Sequence, residues 1–478
     1  MLGRLTRPSA ILVAVVLLAG ACGGSEGSSD SGDDADGTTV VDDGSDDGSD
    51  DGSDEGPETT DEGDAAFDTP EEIPPAVIED LEVYWAETMP EVYGSEYVPV
   101  GGGFYPYDSE DLPPSCGGQD TDYELWAFNA FYCEPDDLVA WDTEQLLPTL
   151  WDDYGPYAIA MVMAHEWGHA IQARSGVFGE VDSITSELQA DCFAGSWTAW
   201  VYEGESESLT LDDAAFGQAL GGLILIRDAP GTSPEDPVAH GSAFDRINAF
   251  QEGFESGAGR CVEYPTDMPT VVELEFTDQT DYELGGNLPV DEVVELATAD
   301  LNAYWSSLID GFEPVEGVVA YEVGASDVPS CDGDLDDEAD QAEAVIYCID
   351  ENIVAVDAEY LVGVGDEIGD AAVTALLAQQ WAIAALLQAD SLPEEPIDVL
   401  TAGVCFTGAW TADIFSRDPA SVPEGMITGL SPGDLDEVIL AWTSVFEGDE
   451  GEDAGIVPFL LVGALRTGFF EGSESCVP

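Results

Sequence analysis

The chain has 478 residues and sets 102 acidic side chains against eight arginines, with no lysine, for a net charge of −94. A field of that sign repels phosphate backbones and anionic headgroups, so it excludes nucleic acid as a partner. Self-repulsion on this scale needs screening by counter-ions, which fits adaptation to high external salt.

The first 70 residues read as targeting and tether. Arg4 and Arg7 precede an apolar stretch, 10–21, that is too short to span a bilayer comfortably, and Leu18-Ala19-Gly20-Ala21-Cys22 looks like a lipobox. Residues 1–21 are thus expected to be a lipoprotein signal peptide. Cys22 would be the lipidated first residue, holding the protein on the outer face of the cell membrane. Ala19 departs from the leucine commonest at that position, and the alternative is a plain secretory signal releasing the protein outside the cell. Residues 22–70 are rich in Gly, Ser, Asp, Glu and Thr and contain nothing that can form a core. As a flexible coil they reach on the order of 35 to 40 Å.

From residue 71 the composition becomes that of a folded domain. Segments 98–107 and 138–141 read as short strands. Residues 158–174 run without proline and carry apolar side chains at helical spacing, and Gly176 supplies a stop signal. Within that helix lies His165-Glu166-Trp167-Gly168-His169, which holds two of the three histidines in the chain. Side chains four apart share a helix face, so both imidazoles can reach one metal while Glu166 stays beside it. A catalytic zinc of the two-histidine, one-glutamate class takes its third ligand from another element. Glu187 and Asp191, four apart on the next helical stretch, suit a metal ligand and a hydrogen-bond acceptor that orients a histidine. Taken alone, each of these two acids also suits a solvated helix face.

The motifs together decide between those readings. His-Glu-Trp-Gly-His-Ala-Ile-Gln, then Glu-Leu-Gln-Ala-Asp-Cys-Phe-Ala-Gly-Ser-Trp, then His240-Gly241-Ser242 with Arg246, Gly253, Phe254 and Gly257 resembles the bacterial neutral zinc metallopeptidase family over roughly residues 75–265. The resemblance implies a gluzincin-like peptidase acting on peptides or proteins. His165, His169 and Glu187 would lie on one Zn²⁺, with Glu166 as general base and Asp191 as the orienting carboxylate. It also draws in His240 and Arg246 as groups that could steady the oxyanion; His240 could equally cap the helix beginning near Ala243. The alternative function is a non-catalytic surface binding or scaffold protein that keeps the fold.

Residues 294–478 read as a degraded copy of 71–265, offset by about 215 positions, with 266–293 as a linker. Tyr132-Cys133 recurs as Tyr347-Cys348, and the Cys192–Trp197 run recurs at Cys405–Trp410. Gly253, Phe254 and Gly257 recur as Gly468, Phe469 and Gly472. Over the same alignment His165 becomes Gln379, Glu166 Gln380, His169 Ile383, Glu187 Leu400 and Asp191 Val404, while His240 meets Gly455 and Arg246 meets Leu461. One zinc, in the first domain only, is expected. Beyond Cys22, four cysteines in each half keep matching spacing, which reads as two disulfides per domain in an oxidising compartment. Of the three pairings open to each set, Cys116 with Cys133 and Cys192 with Cys261 are favoured, repeated as Cys331 with Cys348 and Cys405 with Cys476. Asp332, Asp334, Asp336 and Glu343 are spaced like a calcium loop, but Asp337 stands where the turn requires glycine. The expected fold is α+β and predominantly helical: two tandem zincin-like domains.

Overall fold

The computed structural model describes residues 67–118, 122–211, 213–272, 274–276, 279–444 and 456–476. The signal peptide, the lipidation site Cys22 and nearly all of the acidic tether lie outside the described residues. The fold is α+β, mainly helical, with two small sheets. Leaving single-turn helices and the short helix at 279–284 unlabelled, the first half runs α1 (Ile73–Val92), β1 (Gly103–Tyr107), β2 (Ala130–Cys133), β3 (Leu138–Asp142), α2 (Pro156–Ser175), α3 (Ser183–Tyr202), α4 (Asp213–Leu225) and α5 (Ala243–Ser256). The second half runs α6 (Val290–Leu308), β4 (Val318–Tyr321), β5 (Val345–Cys348), β6 (Ile353–Asp357), α7 (Ala358–Glu367), α8 (Asp370–Gln388), α9 (Pro396–Phe415), α10 (Asp434–Ser444) and α11 (Ile456–Glu471).

The two sheets share one plan. In each, the third strand is central, pairing parallel to the first and antiparallel to the second, in the orders β1-β3-β2 and β4-β6-β5. The register agrees as well: Tyr132 lies opposite Val139, and Tyr347 opposite Val354. The cysteines pair as favoured, Cys116–Cys133, Cys192–Cys261, Cys331–Cys348 and Cys405–Cys476.

Local chemistry fixes the helices that matter. α2 starts with Pro156 in its first turn and ends at Gly176, whose left-handed backbone (φ 76°) lets the Val177 amide return to the Gln172 carbonyl at 2.9 Å. Residues 157–172 are all buried, so this helix is apolar around most of its circumference and sits in the core rather than on it. α3 begins at Asp182, whose carboxylate accepts from the Thr185 amide at 3.1 Å. Glycines let helices cross at contact distance. A Cβ on Gly195 would lie 1.9 Å from the Phe250 carbonyl oxygen, and one on Gly253 1.9 Å from that of Cys192, so α3 and α5 touch backbone to backbone. Gly408 against Leu465 and Gly468 against Cys405 repeat the arrangement between α9 and α11.

The two halves share one apolar core. Phe459 of α11 packs against Phe216 and Phe254 at ring separations of 4.8 and 5.2 Å, and Phe469 against Phe244 at 5.0 Å. Polar contacts follow the same seam: Gln251 donates to the Phe459 carbonyl, and Asp436 accepts from the Phe244 amide. The stretch expected as a linker is packed as well, Val272 being buried with its amide bonded to Asp245 and the Leu288 amide to Asp370. The calcium-like loop takes another role, with Asp337 capping a short helix through the amides of Ala339 and Asp340.

Candidate metal centre

Three side chains converge between α2 and α3. One donor atom from each of His165, His169 and Glu187 lies within 4.8 Å of the others. Both histidines turn Nε2 toward the same carboxylate, His165 at 3.2 Å from Glu187 Oε2 and His169 at 3.4 Å from Oε1, with the two rings nearly perpendicular. The helices can approach this closely because Gly168, between the histidines, faces Ala190; a Cβ there would come within 2.7 Å of the Ala190 Cα.

The outer nitrogens explain why Nε2 points inward. His165 Nδ1 lies 2.6 Å from Asp191 Oδ1, and His169 Nδ1 lies 2.9 Å from Gln172 Oε1. Asp191 and Gln172 are acceptors, so each Nδ1 carries a proton and each Nε2 is left facing Glu187, although Arg246 Nη2 also lies 3.2 Å from His165 Nδ1. Two imidazole Nε2 atoms thus face one carboxylate, an arrangement that needs a proton or a cation between them: both histidines are raised and hold protons when no cation is there, and a cation would take the protons' place. Glu187 Oε2 is itself buried without a hydrogen-bond partner. Two nitrogens and one carboxylate, each histidine fixed by an outer acceptor, fit a catalytic zinc with a coordination position left open.

Electrostatics follow from the burial. Burial opposes charge on His165, but Asp191 and Glu187 outweigh it and push the group up to about 10. Burial also works against the Glu187 charge, and the two imidazoles overcome it, holding the carboxyl well below its usual range. Asp191 is kept ionised against burial by Arg246 and His165. Glu166 moves the other way: burial raises it despite the neighbouring histidines. Its Oε2 accepts from the Tyr132 amide of β2 at 2.8 Å, so the sheet fixes the carboxylate beside the cluster.

Arg246 and His240 are placed otherwise than expected. Arg246 is buried, its Nε and Nη2 both 2.9 Å from the two oxygens of Asp191 and its Nη1 on the Ile226 carbonyl. Every arm of the guanidinium is engaged, so it steadies Asp191 rather than an oxyanion. The His240 ring is half exposed, with Nδ1 3.2 Å from Asp228. It does not cap the following helix either, because Ser242 accepts from the Asp245 amide there. Gln172 and the Tyr132 amide are the groups that the sequence reading missed. Gln172 stands three residues beyond His169 on the same face, a spacing that could have exposed it; a main-chain donor has no sequence signal.

At the corresponding place in the second half, Gln380 Oε1 accepts from the Tyr347 amide at 3.0 Å and Gln379 bonds to Gln380. In sequence register, Ile383, Leu400 and Val404 stand opposite His169, Glu187 and Asp191.

Residues 114–263, which hold the helix pair and its histidine–glutamate cluster, match the family described as "putative neutral zinc metallopeptidase". An uncharacterized protein of Mycobacterium tuberculosis is 30% identical over 151 residues, covering 27% of this chain and 52% of its own length. The uncharacterized protein YpfJ of Escherichia coli is 33% identical over 146 residues, covering 27% of this chain and 50% of its own. The chain thus spans about half the length of the relatives it matches. No solved structure matches it.

Proposed function

We propose that the protein is an extracytoplasmic, membrane-anchored zinc endopeptidase whose first half holds the one zinc and does the chemistry. The observation that carries this reading is the convergence of His165 Nε2, His169 Nε2 and Glu187 on one point, with Glu166 fixed alongside. A bound zinc supplies Lewis-acid polarisation of a carbonyl and lowers the pKa of water. Glu166, raised by burial, accepts a proton from the attacking water and returns it to the leaving amine. Asp191 and Gln172 hold the two imidazoles in the tautomer that offers Nε2, and Arg246 keeps Asp191 ionised. The four disulfides support an oxidising compartment. Lipidation of Cys22 would fix the chain to the membrane, and the second half, read as a tandem copy without ligands, binds no zinc at Gln379 and Gln380.

Glu166→Gln should leave about one zinc per chain and abolish peptide hydrolysis, whereas His169→Ala should lose both. Undiminished cleavage by the Glu166 variant would overturn the assignment; a wild-type chain that binds no zinc would favour a binding protein that keeps the fold.

A further inference from the structure

A second buried cluster lies in the half that lacks histidines. Asp370 opens α8, Asp434 opens α10 and Glu437 lies one turn along it, with one carboxylate oxygen of each within 4.8 Å of the others. All three are more than nine-tenths buried. Each has one oxygen fixed by a main-chain amide: Asp370 Oδ2 by Leu288 at 2.9 Å, Asp434 Oδ2 by Ser431 at 2.8 Å and Glu437 Oε2 by Ala371 at 3.0 Å. Asp434 Oδ1 is buried with no hydrogen-bond partner. Beside it a cavity of about 60 Å³ is lined by Asp370, Asp434, Thr374 and Trp410, room enough for an ion with a water.

Main-chain amides account for one oxygen of each carboxylate and the Asn287 side chain adds a bond to Glu437, which still leaves three buried carboxylates turned on one another and Asp434 Oδ1 without a partner. No arginine or histidine among the described residues forms an ion pair with any of them; Arg227, the nearest in sequence pairing, goes to Asp436. Asp281, tied to Ser431 at 2.9 Å, adds to the negative field. Burial, with Asp281 nearby, raises Asp370 to about 6, and burial with the Asp370 charge raises Glu437 to about 8. Buried charge of one sign must be neutralised by protons or by a cation.

The first half shows what the cluster replaces. Gly155 and Gly369 precede α2 and α8, and a Cβ on either would strike Gln218 or Glu437 respectively. Gln218 therefore stands where Glu437 does, and its Oε1 accepts from the Tyr157 amide as Glu437 accepts from Ala371. Pro156, the residue after Gly155, stands where Asp370 does. A neutral amide suffices for the helix start, so the acids of the second half serve a further purpose.

We propose that Asp370, Asp434 and Glu437 hold a calcium ion, which locks the starts of α8 and α10 together. The donors are all oxygen, the chemistry of a hard cation, and carboxylates with water in a roomy site suit calcium over magnesium. This site is independent of the zinc reading and would stand if that reading failed.

The test uses the full chain stripped of metal, resupplied with equal zinc in every arm, at high monovalent salt so that the acidic surface is screened. Adding calcium should raise the unfolding midpoint by several degrees, more than magnesium does, because a ligand bound only by the native state stabilises it. Asp434→Asn and Glu437→Gln should abolish that rise and leave zinc content unchanged. Should either variant fail to fold, elemental analysis of the desalted wild type decides, with about one calcium per chain expected. No response, a response matched by magnesium, a rise that survives in both variants, or a wild type without calcium would overturn the proposal and leave a proton-sharing cluster.

Discussion

Glu166 and Gln380 occupy the same slot in two halves built to one plan, each accepting from the amide of an edge strand, Tyr132 in one and Tyr347 in the other. The hydrogen bond persists and the ionisable group does not. What the frame requires at that point is an acceptor for a strand amide; what chemistry requires is a carboxylate with a proton affinity raised by burial. Around Glu166 stand two imidazoles and Glu187, whereas Gln380 bonds to the Gln379 amide and no histidine lies in that half. The comparison separates residues that build the pocket from those that work in it. Glycines at helix crossings, cysteines and core tryptophans belong to the first group, since both halves keep them.

The sharpest way to break the comparison is to make the halves alike. Glu166→Gln installs the second half's side chain in the first and retains an acceptor for Tyr132, so zinc content and thermal midpoint should hold while hydrolysis falls by about 10²- to 10⁴-fold or more. Steady-state kinetics beside metal analysis reads both. Next in size is Arg246→Met, which leaves the buried Asp191 charge with only the His165 imidazole as a partner; a loss of about 3 kcal/mol in denaturant unfolding is expected. The second half has buried Leu461 and Val404 in the corresponding sequence positions and so offers no charge to strand. Gln172→Leu removes the acceptor on His169 and should weaken zinc binding by about 10- to 100-fold in a chelator competition, with little change in fold. Gly195→Ala and Gly408→Ala probe equivalent crossings and should each cost about 1–3 kcal/mol. Similar losses would show that the crossing matters independently of any zinc site; a harmless Gly408→Ala would break the equivalence. His240→Ala should be the mildest, within about 0.5 kcal/mol in stability and without effect on kcat.

Much of the site was legible in the sequence because helices impose a spacing. His165 with His169, and Glu187 with Asp191, each fall four apart, and the structure brings both pairs to one place. Arg246 was visible as a charge, but whether it faces substrate or a carboxylate depends on which helix packs against it, and Asp191 takes it bidentately. His240 was singled out by scarcity, which says nothing of exposure. β2 escaped because Ala130–Cys133 is four residues long and shows no alternation of apolar and polar side chains. Asp370, Asp434 and Glu437 could not be picked out among 102 acids; only burial distinguishes them. The seam between the halves was hidden for a similar reason, since a phenylalanine that crosses it looks like any other core residue.

That seam has a consequence for inheritance. Phe459 fills a hollow among Phe216, Phe250 and Phe254, so cutting the chain after residue 293 would bare that aromatic surface on the first half. The second half is therefore constrained by what it covers: substitutions at Phe459, Phe469 or Gly468, far from the histidine–glutamate cluster, would lower the yield of folded chain by disturbing the surface packed on the first half.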